Sequence, residues 1–430
     1  MLNRLTVHRF KSIREADIEF GRVNLFIGGN GCGKSNILEA IGLLSACLGR
    51  GITDFDLNSK GVRLTPASIM KSSFKNEELP KTLEVHGYFD NSIDYKVSLS
   101  SGANQTLSVF SESAKANGKK IFGRSNRGST PKGVIKEDRL DKQRGLWDQV
   151  KAVIDTQSEL FDAFEVFSHY AIFSPQTDFL RGKRAKKSNL LSMGIHGEGI
   201  TEAIRSFMAY HKWIRSEINK KEKNILHPKL ISQLMYDCIN LLWLPGWASG
   251  IELKKTDEVF SSSDIDEVSK WVIVLLDKYM HRTRNYLTVY DSSEGTLFLL
   301  FSALLLAHPD SPRIFSFDNV DSALNPCLTR SLVEKIIYTT NLTNNKNLSV
   351  GARQVFMTSH NPTSLDAFDL FDDQQRIFVV KRSKTSGHTE IVRLQPPSAM
   401  TAEDWDIAKG GKNLSQLWLD GEIDGACGEL

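Results

Sequence analysis

The chain has 430 residues, of which 40% are hydrophobic and 24% are charged. At roughly 100–200 residues per domain, this length allows two to three lobes with a sizeable core. The composition is close to that of average globular proteins, which excludes a disordered, collagen-like or disulfide-scaffold protein.

Charge is distributed unevenly behind a net value of +3. Residues 115–144 carry +7, residues 181–187 carry +5 and residues 211–229 carry +4, which leaves −13 for the rest of the chain. From Ala399 onward there are seven acidic residues and two lysines. We expect a basic face for a polyanion or an acidic protein and a separate acidic C-terminal edge, with solvated loops as the alternative explanation of the basic runs.

The sequence indicates neither a targeting segment nor a membrane span. Its N-terminus mixes charged residues into an alternating pattern and lacks the apolar core of a signal peptide. The longest apolar run, near Leu297–Ala307, is about half of what a bilayer-spanning helix needs. The five cysteines form no CxxC pair, so neither a zinc site nor a disulfide framework is expected. We expect a cytoplasmic protein without a membrane partner.

Periodicity predicts a strand-rich first half and a more helical second half. The elements predicted up to residue 173 are strands at 5–10, 18–20 and 23–27, a hairpin from 83–89 and 93–99, a mobile surface loop over 111–145, a helix over 150–167 and a short strand over 170–173. Residues 196–288 are expected to be mostly helical. The later elements are a buried helix over 296–307 and buried strands at 313–317, 355–358 and 377–380, which are typical of a parallel sheet.

The strand at 23–27 runs directly into GGNGCGKS, which matches the pattern G-x-x-x-x-G-K-[ST]. The glycines allow backbone N–H groups to face phosphate oxygens, and the following helix adds the positive end of its dipole. Lys34 can reach the β- and γ-phosphates, and the Ser35 hydroxyl can bind Mg²⁺. The residues expected to bind the nucleotide here are Gly28, Asn30, Gly31, Cys32, Gly33, Lys34, Ser35 and Asn36.

A second part of the site is predicted at Asp318, which ends the apolar strand at 313–317. A carboxylate in this position can hold Mg²⁺ through water in phosphate-loop enzymes. Asp318 follows Lys34 after 284 residues, a longer separation than in compact phosphate-loop NTPases or hexameric AAA+ motors. A large insertion is therefore expected between the two halves of one sheet.

Five segments in order resemble the ABC-type ATPase heads of the SMC, RecF and OLD class over nearly the whole chain. They are the FKS segment at 10–12, the phosphate loop, SSEGT at 292–296 (similar to the ABC signature), FDNVDSALNP at 317–326 (similar to Walker B running into the D-loop) and TSHNP at 358–362 (similar to the switch-histidine segment). The resemblance implies an α/β fold: a mixed sheet with a parallel core and helices on both faces, plus an inserted helical lobe. The implied boundaries are a split nucleotide-binding lobe, 1–180 and 295–430, and a helical lobe, 181–294.

The resemblance also implies ATP and Mg²⁺ as cofactors and a twofold dimer with ATP held between protomers. In such a dimer the signature residues of one protomer contact the γ-phosphate bound by the other, and the histidine senses that phosphate. The residues to which these roles are carried over are Lys11 and Ser12 near the nucleotide, Ser293 and Gly295 in the signature, His360 as the sensor, and Gln176, Ser35 and Asp318 around Mg²⁺. A surface glutamine is the alternative interpretation of Gln176.

The chain departs from the class directly after Asp318, where Asn319 replaces the usual catalytic glutamate. A neutral amide can position water but cannot accept its proton, and losing a general base typically costs about 10²–10⁴ in rate. Three hypotheses follow: slow hydrolysis with ATP as a clamp, substitution by Asp321, or completion of the site by a partner. We favour slow hydrolysis.

The chain resembles a head without its own effector. The 112 residues from 181 to 292 are too few for SMC-type coiled coils, and the 70 residues after His360 lack the nuclease arrangement of OLD proteins. The tail NLSQLWLDG at 413–421 resembles stand-alone prokaryotic ATPases, many from anti-phage systems such as Septu-type and retron-linked ones, that act with a separate nuclease or toxin.

We therefore expect a regulatory ATPase of anti-phage defence, a homodimer or higher homo-oligomer that holds a separate nuclease or toxin. The alternative is a RecF-like repair ATPase that binds double-stranded nucleic acid through the basic stretches. A transporter ATPase is disfavoured, because transporter heads have an LSGGQ signature and more closely spaced half-sites.

Overall fold

The computed structural model describes residues 1–75, 77–102, 106–125, 128–131, 140–182, 193–220, 225–260, 270–397 and 400–423. The chain forms two compact units. Unit 1 comprises Met1–Ile172, Arg313–Val320 and Gln354–Leu430, and unit 2 comprises Phe173–Pro312 and Asp321–Arg353. This division differs from the lobe boundaries expected from the sequence mainly because residues 295–312 and 321–353 belong to unit 2.

The described residues form sixteen strands. In chain order they are β1 (Leu2–Phe10), β2 (Ile13–Glu19), β3 (Val23–Ile27), β4 (Thr82–Phe89), β5 (Ile93–Ser101), β6 (Leu107–Ala116), β7 (Lys119–Ser125), β8 (Gly128–Thr130), β9 (Ile172–Phe173), β10 (Ala248–Lys255), β11 (Trp271–Asp277), β12 (Tyr286–Thr288), β13 (Ile314–Phe317), β14 (Gln354–Ser359), β15 (Gln375–Arg382) and β16 (Thr389–Leu394).

Thirteen α-helices accompany them in the same residues. They are α1 (Lys34–Leu48), α2 (Asp54–Ser59), α3 (Ala67–Met70), α4 (Trp147–Val150), α5 (Glu159–Ser168), α6 (Thr177–Leu180), α7 (Ile200–Ile218), α8 (Pro228–Ile239), α9 (Thr256–Val259), α10 (Glu294–Ala307), α11 (Pro326–Asn345), α12 (Ala402–Ala408) and α13 (Leu414–Leu419). Short 3₁₀ segments cover Lys151–Val153, Asn240–Trp243 and Pro362–Ala367. None of these helices is long and apolar enough to cross a membrane.

Unit 1 contains two sheets. The first has seven antiparallel strands in the order β2-β1-β4-β5-β6-β7-β8. The second has the order β16-β15-β3-β14-β13-β9, in which β3 pairs in parallel with both β14 and β15, and β13 pairs in parallel with β14. Every residue of β3, β13 and β14 is buried, as expected for a parallel sheet covered on both faces. The α/β class with a parallel core is confirmed.

Helix α1 packs between the two sheets. Thirteen of its fifteen residues are buried, and it contacts β1 and β4 of the first sheet and β14 of the second. Aromatic rings fill the neighbouring core, where Phe20 makes edge-on contacts with Phe26, Phe356 and Phe378. The rigid packing of α1 fixes the position of its N-terminus, which is where the phosphate loop ends.

Unit 2 is built around α10, whose last twelve residues are all buried. This helix contacts α6, α7, α8 and α11. Its apolar sequence therefore reflects burial on all sides within unit 2. Beside the helices, β10, β11 and β12 form a three-stranded antiparallel sheet.

Three local expectations from the sequence are wrong. The expected loop over 111–145 contains β7, β8 and the end of β6, and the mostly helical stretch over 196–288 contains β10–β12. The helix over 150–167 is interrupted, because Ser158 caps the start of a new helix, α5. In β6 and β7 the inward positions include the buried ion pair Glu112–Arg124, which masks the apolar alternation that marks a strand.

Candidate functional site

The phosphate loop lies between β3 and α1, at the carboxyl edge of the parallel sheet. Because β13 and β14 run parallel to β3, the residues that follow these strands, Asp318 and His360, are brought to the same edge. Sequence positions 28–35, 318 and 360 are thus gathered in unit 1 by sheet topology.

Two loop positions require glycine for steric reasons. A Cβ at Gly28 would lie 2.0 Å from the carbonyl oxygen of Val380. Gly33 has a φ of 109°, and a Cβ there would lie 2.2 Å from Thr389 Oγ1. The loop therefore packs tightly on its sheet side, whereas Asn30 and Gly31 at its tip are exposed. Cys32 is buried beneath the tip.

The Lys34 side chain crosses the loop. Its Nζ donates to the carbonyl oxygens of Gly28 at 2.8 Å and Gly29 at 2.9 Å. The same Nζ lies 3.4 Å from His360 Nδ1. The ammonium group and the imidazole expected to contact a γ-phosphate therefore converge on one point above the loop.

Asp318 is held by two hydroxyl groups. Ser35 Oγ lies 3.2 Å from each carboxylate oxygen of Asp318, and Thr358 Oγ1 donates to Asp318 Oδ1 at 2.5 Å. Ser35 and Asp318 are 283 positions apart in sequence. Their direct contact unites the two separated halves of the predicted site.

The donor set at this point suits Mg²⁺. Magnesium takes oxygen ligands and is usually bound by one or two carboxylates together with phosphate oxygens and water. Ser35 and Asp318 offer a hydroxyl and a carboxylate side by side. The described residues contain no cluster of three or more His, Cys, Asp or Glu that could hold a metal ion.

Asn319 follows Asp318 in a left-handed backbone conformation, with φ at 57°. Its N–H donates to Thr358 Oγ1 at 2.8 Å, and its side chain is exposed. Asparagine is one of the residues that tolerates this region of backbone space best. The residue at the usual glutamate position is thus adapted to a tight turn.

A hydrogen-bonded chain ties the N-terminal hairpin to the phosphate loop. Asn36 Nδ2 donates to Ser12 Oγ at 2.6 Å, and Ser12 Oγ lies 2.7 Å from Thr389 Oγ1. Thr389 Oγ1 in turn donates to the carbonyl oxygen of Cys32 at 2.8 Å. Ser12 and Asn36, both predicted to lie near the nucleotide, therefore contact each other beside the loop.

A basic cleft of about 480 Å³ adjoins this network. Glu39, a buried residue of α1, forms ion pairs with both Lys11 and Arg63. Burial lowers the pKa of Lys11, and the neighbouring Glu39 carboxylate opposes that effect. The remaining lining residues are Ser12, Asn36, Leu64, Thr65, Ile69, Lys71, Ser73, Phe74 and Arg382. The cleft combines apolar walls with four cationic side chains.

The other predicted residues belong to unit 2. Ser293 is exposed and caps α10, accepting a hydrogen bond from the Thr296 N–H at 3.3 Å. A Cβ at Gly295 would lie 3.0 Å from the carbonyl oxygen of Ala323. The Gln176 side chain is exposed, and Asp321 begins the second segment of unit 2.

Several residues of the site escaped the sequence analysis. Glu39, Thr389 and Thr358 contact predicted site residues only through the fold, and no motif marks the first two. Thr358 lies in the TSHNP segment, and its position two residues before His360 is the sequence feature that could have identified it as a site residue. Parts of the basic stretches lie outside the described residues, namely 126–127, 132–139, 183–187 and 221–224. The acidic tail beyond residue 423 also lies outside them.

Short local matches link the chain to RecF proteins. It is 58% identical over 45 residues to the DNA replication and repair protein RecF of Magnetococcus marinus, and 42% identical over 48 residues to RecF of Phocaeicola vulgatus. These matches cover 10% and 11% of the chain. They span only about one eighth of the curated relatives, 12% and 13% of their lengths.

Solved structures with some similarity include an SmcHead bound to the C-winged helix domain of ScpA, at 18% identity and a TM-score of 0.49, covering 93% of this chain and 99% of that one. The SMC head domain from Thermotoga maritima has 14% identity and a TM-score of 0.41, covering 92% of this chain and 99% of that one. RecF-ATPrS of the RecFOR pathway has 14% identity and a TM-score of 0.37, covering 91% and 98%.

A family model described as "AAA domain, putative AbiEii toxin, Type IV TA system" matches residues 23–366. The matched region begins at β3 and ends six residues after His360, so it contains the phosphate loop, Asp318 and His360. The chain belongs to this AAA-domain family.

Proposed function

We propose that the protein binds ATP together with Mg²⁺ in unit 1 and hydrolyses it slowly. The contact between Ser35 and Asp318 is the observation that carries this proposal, since it joins the phosphate loop to a carboxylate suited to a metal. Lys34 would neutralise the β- and γ-phosphates, and loop N–H groups would bind their oxygens. The basic cleft beside Lys11 would accept the ribose and base.

Mg²⁺, held by Ser35 and Asp318 and possessing two positive charges, would offset negative charge on the phosphates. His360, 3.4 Å from Lys34 Nζ, would contact the γ-phosphate and respond to its loss. The Asn319 amide would orient a water molecule without accepting its proton. Slow turnover follows from having Asn319 in place of the usual glutamate. It favours a role in which bound ATP holds the assembly together over one in which repeated hydrolysis drives movement.

We further propose that ATP joins two protomers. Ser293 is exposed at the N-terminus of a fourteen-residue helix, where unpaired N–H groups favour an anion. In a twofold dimer this group would contact the γ-phosphate bound by the other protomer, as the signature resemblance implies. Gly295 would allow close approach of that phosphate.

Sedimentation velocity tests the dimer. Wild-type protein is expected to sediment as a dimer with ATP and Mg²⁺ and as a monomer with ADP, while Ser293→Arg stays monomeric with ATP yet still binds it. Ser216→Arg, an exposed change on α7, is the matched control and should dimerise. Because losing a cap costs about 1 kcal/mol, Tm is measured alongside. A Ser293→Arg protein that dimerises like the control would contradict the proposed interface.

The ATP-bound assembly, as a dimer or higher homo-oligomer, is proposed to hold and regulate a separate nuclease or toxin in anti-phage defence. The family to which the chain belongs is described as a putative AbiEii toxin of a type IV toxin–antitoxin system, which supports a toxin-linked role. The competing proposal is a RecF-like repair ATPase that binds duplex DNA, supported by the short RecF matches.

Purification from the native host separates these two proposals. Stoichiometric co-purification of a nuclease or toxin that depends on ATP supports the regulatory role. ATP-dependent binding of a labelled DNA duplex that weakens steeply with salt, without a protein partner, supports the repair role instead.

A further inference from the structure

Thr358, the penultimate residue of β14, makes three hydrogen bonds to consecutive residues at the site. Its hydroxyl donates to Asp318 Oδ1 at 2.5 Å and accepts from the N–H of Asn319 at 2.8 Å. Its carbonyl oxygen accepts from the N–H of Val320 at 3.0 Å. The side chain is fully buried, so water does not compete for these bonds.

The direction of the two hydroxyl bonds is determined by chemistry. A threonine hydroxyl has one proton to donate, and the Asn319 N–H can act only as a donor. The single proton of Thr358 must therefore go to the carboxylate of Asp318. One side-chain oxygen thus fixes both the metal-binding carboxylate and the turn at Asn319, whose φ of 57° needs support from its surroundings.

We propose that Thr358 is a positioning residue for ATP hydrolysis. Its hydroxyl orients the Asp318 carboxylate toward Mg²⁺, and by accepting from the backbone N–H of Asn319 it holds that residue so that its side-chain amide positions water. This inference rests on the roles proposed above for Asp318 and Asn319. It adds that one hydroxyl couples the Asp318 carboxylate and Asn319 to β14, the strand that His360 directly follows.

A purely structural threonine looks different in this fold. Thr339 in α11, also buried, directs its hydroxyl to carbonyl oxygens of its own helix, those of Lys335 and Ile336. Thr358 instead bonds the side chain of Asp318 and the N–H of Asn319, which lie 40 and 39 positions away, just after β13. Its partners are the two residues that the proposed chemistry uses.

Thr358→Val tests the role, because it keeps the shape of the side chain and removes the hydroxyl. Removing the hydroxyl takes a buried hydrogen-bond partner from both Asp318 and the Asn319 N–H, so we expect a roughly tenfold loss of Mg²⁺ affinity, read from Mn²⁺ binding by electron paramagnetic resonance in the presence of ATP. We expect a fall of similar size in kcat, with the KM for ATP changed less than about twofold. Thr358→Ser should restore both quantities.

Ser316→Ala is the matched control, since Ser316 is buried on β13 and its hydroxyl bonds Tyr170 rather than the site. The inference is overturned if Thr358→Val lowers Tm as this control does but leaves Mn²⁺ binding and kcat unchanged. If Thr358→Val does not fold, Thr358→Ala is measured in the same way, with the same opposing outcomes. Absence of metal-dependent ATP binding in the wild type would instead overturn the proposed function.

A double-mutant cycle tests the coupling itself. If Thr358 acts through Asn319, the effects of Thr358→Val and Asn319→Ala on kcat should be strongly non-additive. Additive effects would show that the hydroxyl does not act through the Asn319 amide and would overturn that part of the inference.

Discussion

The phosphate loop illustrates how single residues shape the site. Gly33 and Gly31 both have positive φ values, 109° and 72°, but their surroundings differ. A Cβ at Gly33 would collide with Thr389 and Ser12, whereas a Cβ at Gly31 would meet nothing within 4 Å. Gly33 is therefore required both by its neighbours and by its backbone conformation, whereas Gly31 is required by its backbone conformation alone.

Alanine substitutions should separate these two requirements. We expect Gly33→Ala to lose several degrees of Tm and ATP binding, because the Thr389–Ser12 contact must move. Gly31→Ala, the matched control, should cost only the roughly 1 kcal/mol of a left-handed alanine. Thermal melts and nucleotide titration of both variants check this; an equal loss of Tm in the two would contradict it.

We expect Asn319 to limit the rate of ATP hydrolysis. Aspartate also tolerates a positive φ and adds a carboxylate, so Asn319→Asp should raise turnover by at least about tenfold if a missing base limits the rate. Asn319→Glu should also raise it, with a stability loss of about 1 kcal/mol for the left-handed backbone. Steady-state phosphate release is the measurement. Unchanged turnover in both variants, with loss of activity in Asp321→Ala, would refute the slow-clamp hypothesis.

Residues adjacent in sequence were predictable, and residues adjacent only in space were not. GGNGCGKS and the apolar strand ending in Asp318 each carry a local pattern with a chemical meaning. Glu39 and Thr389 carry none: a buried glutamate on α1 and a threonine on β16 acquire roles through contacts with Lys11 and Cys32 that only the folded chain creates.

At the scale of elements, apolar periodicity predicted the parallel strands and α10 because these elements are buried on all sides. It failed for β6 and β7, where the buried Glu112 bonds Tyr95 and Arg124 and replaces an apolar residue. A paired charge inside a sheet cannot be distinguished from an exposed charge by sequence alone.

Lys60, at the end of α2, joins three elements by a buried ammonium group. Its Nζ donates to Ser45 Oγ on α1 and to the carbonyl oxygens of Ser168, the last residue of α5, and of Tyr170. Burial lowers the pKa of Lys60 to about 7, whereas in the unfolded chain it titrates near 10.4. Between these values the unfolded chain binds more protons, so stability rises with pH in this window and is independent of Lys60 below it.

Lys60→Met should remove this pH dependence. We expect the wild-type free energy of unfolding to rise between pH 7 and pH 9 by at most about 1.4 kcal/mol per pH unit from Lys60, and the variant to lose that slope. Urea unfolding at several pH values measures it, with the exposed Lys119→Met as the control. An identical slope in wild type and Lys60→Met would refute the assignment.

At the scale of the whole molecule, the residues proposed for nucleotide binding and for dimerisation belong to different units. Lys34, Asp318 and His360 are in unit 1, and Ser293 is in unit 2. The chain passes from unit 1 to unit 2 after Val320, two residues beyond Asp318. The long separation of Lys34 and Asp318 in the sequence predicted an inserted unit. The strands of unit 2 and the exact segments that form it depend on packing that sequence periodicity does not encode.

The central claim is that the loop at 28–35, completed by Asp318, is an ATP site. Isothermal titration calorimetry of wild type and Lys34→Ala with ATP and Mg²⁺ tests it most directly, with Lys212→Ala, an exposed change on α7, as the control. We expect saturable binding in wild type and control and none in Lys34→Ala. Equal affinity in all three proteins would contradict an ATP site at this loop.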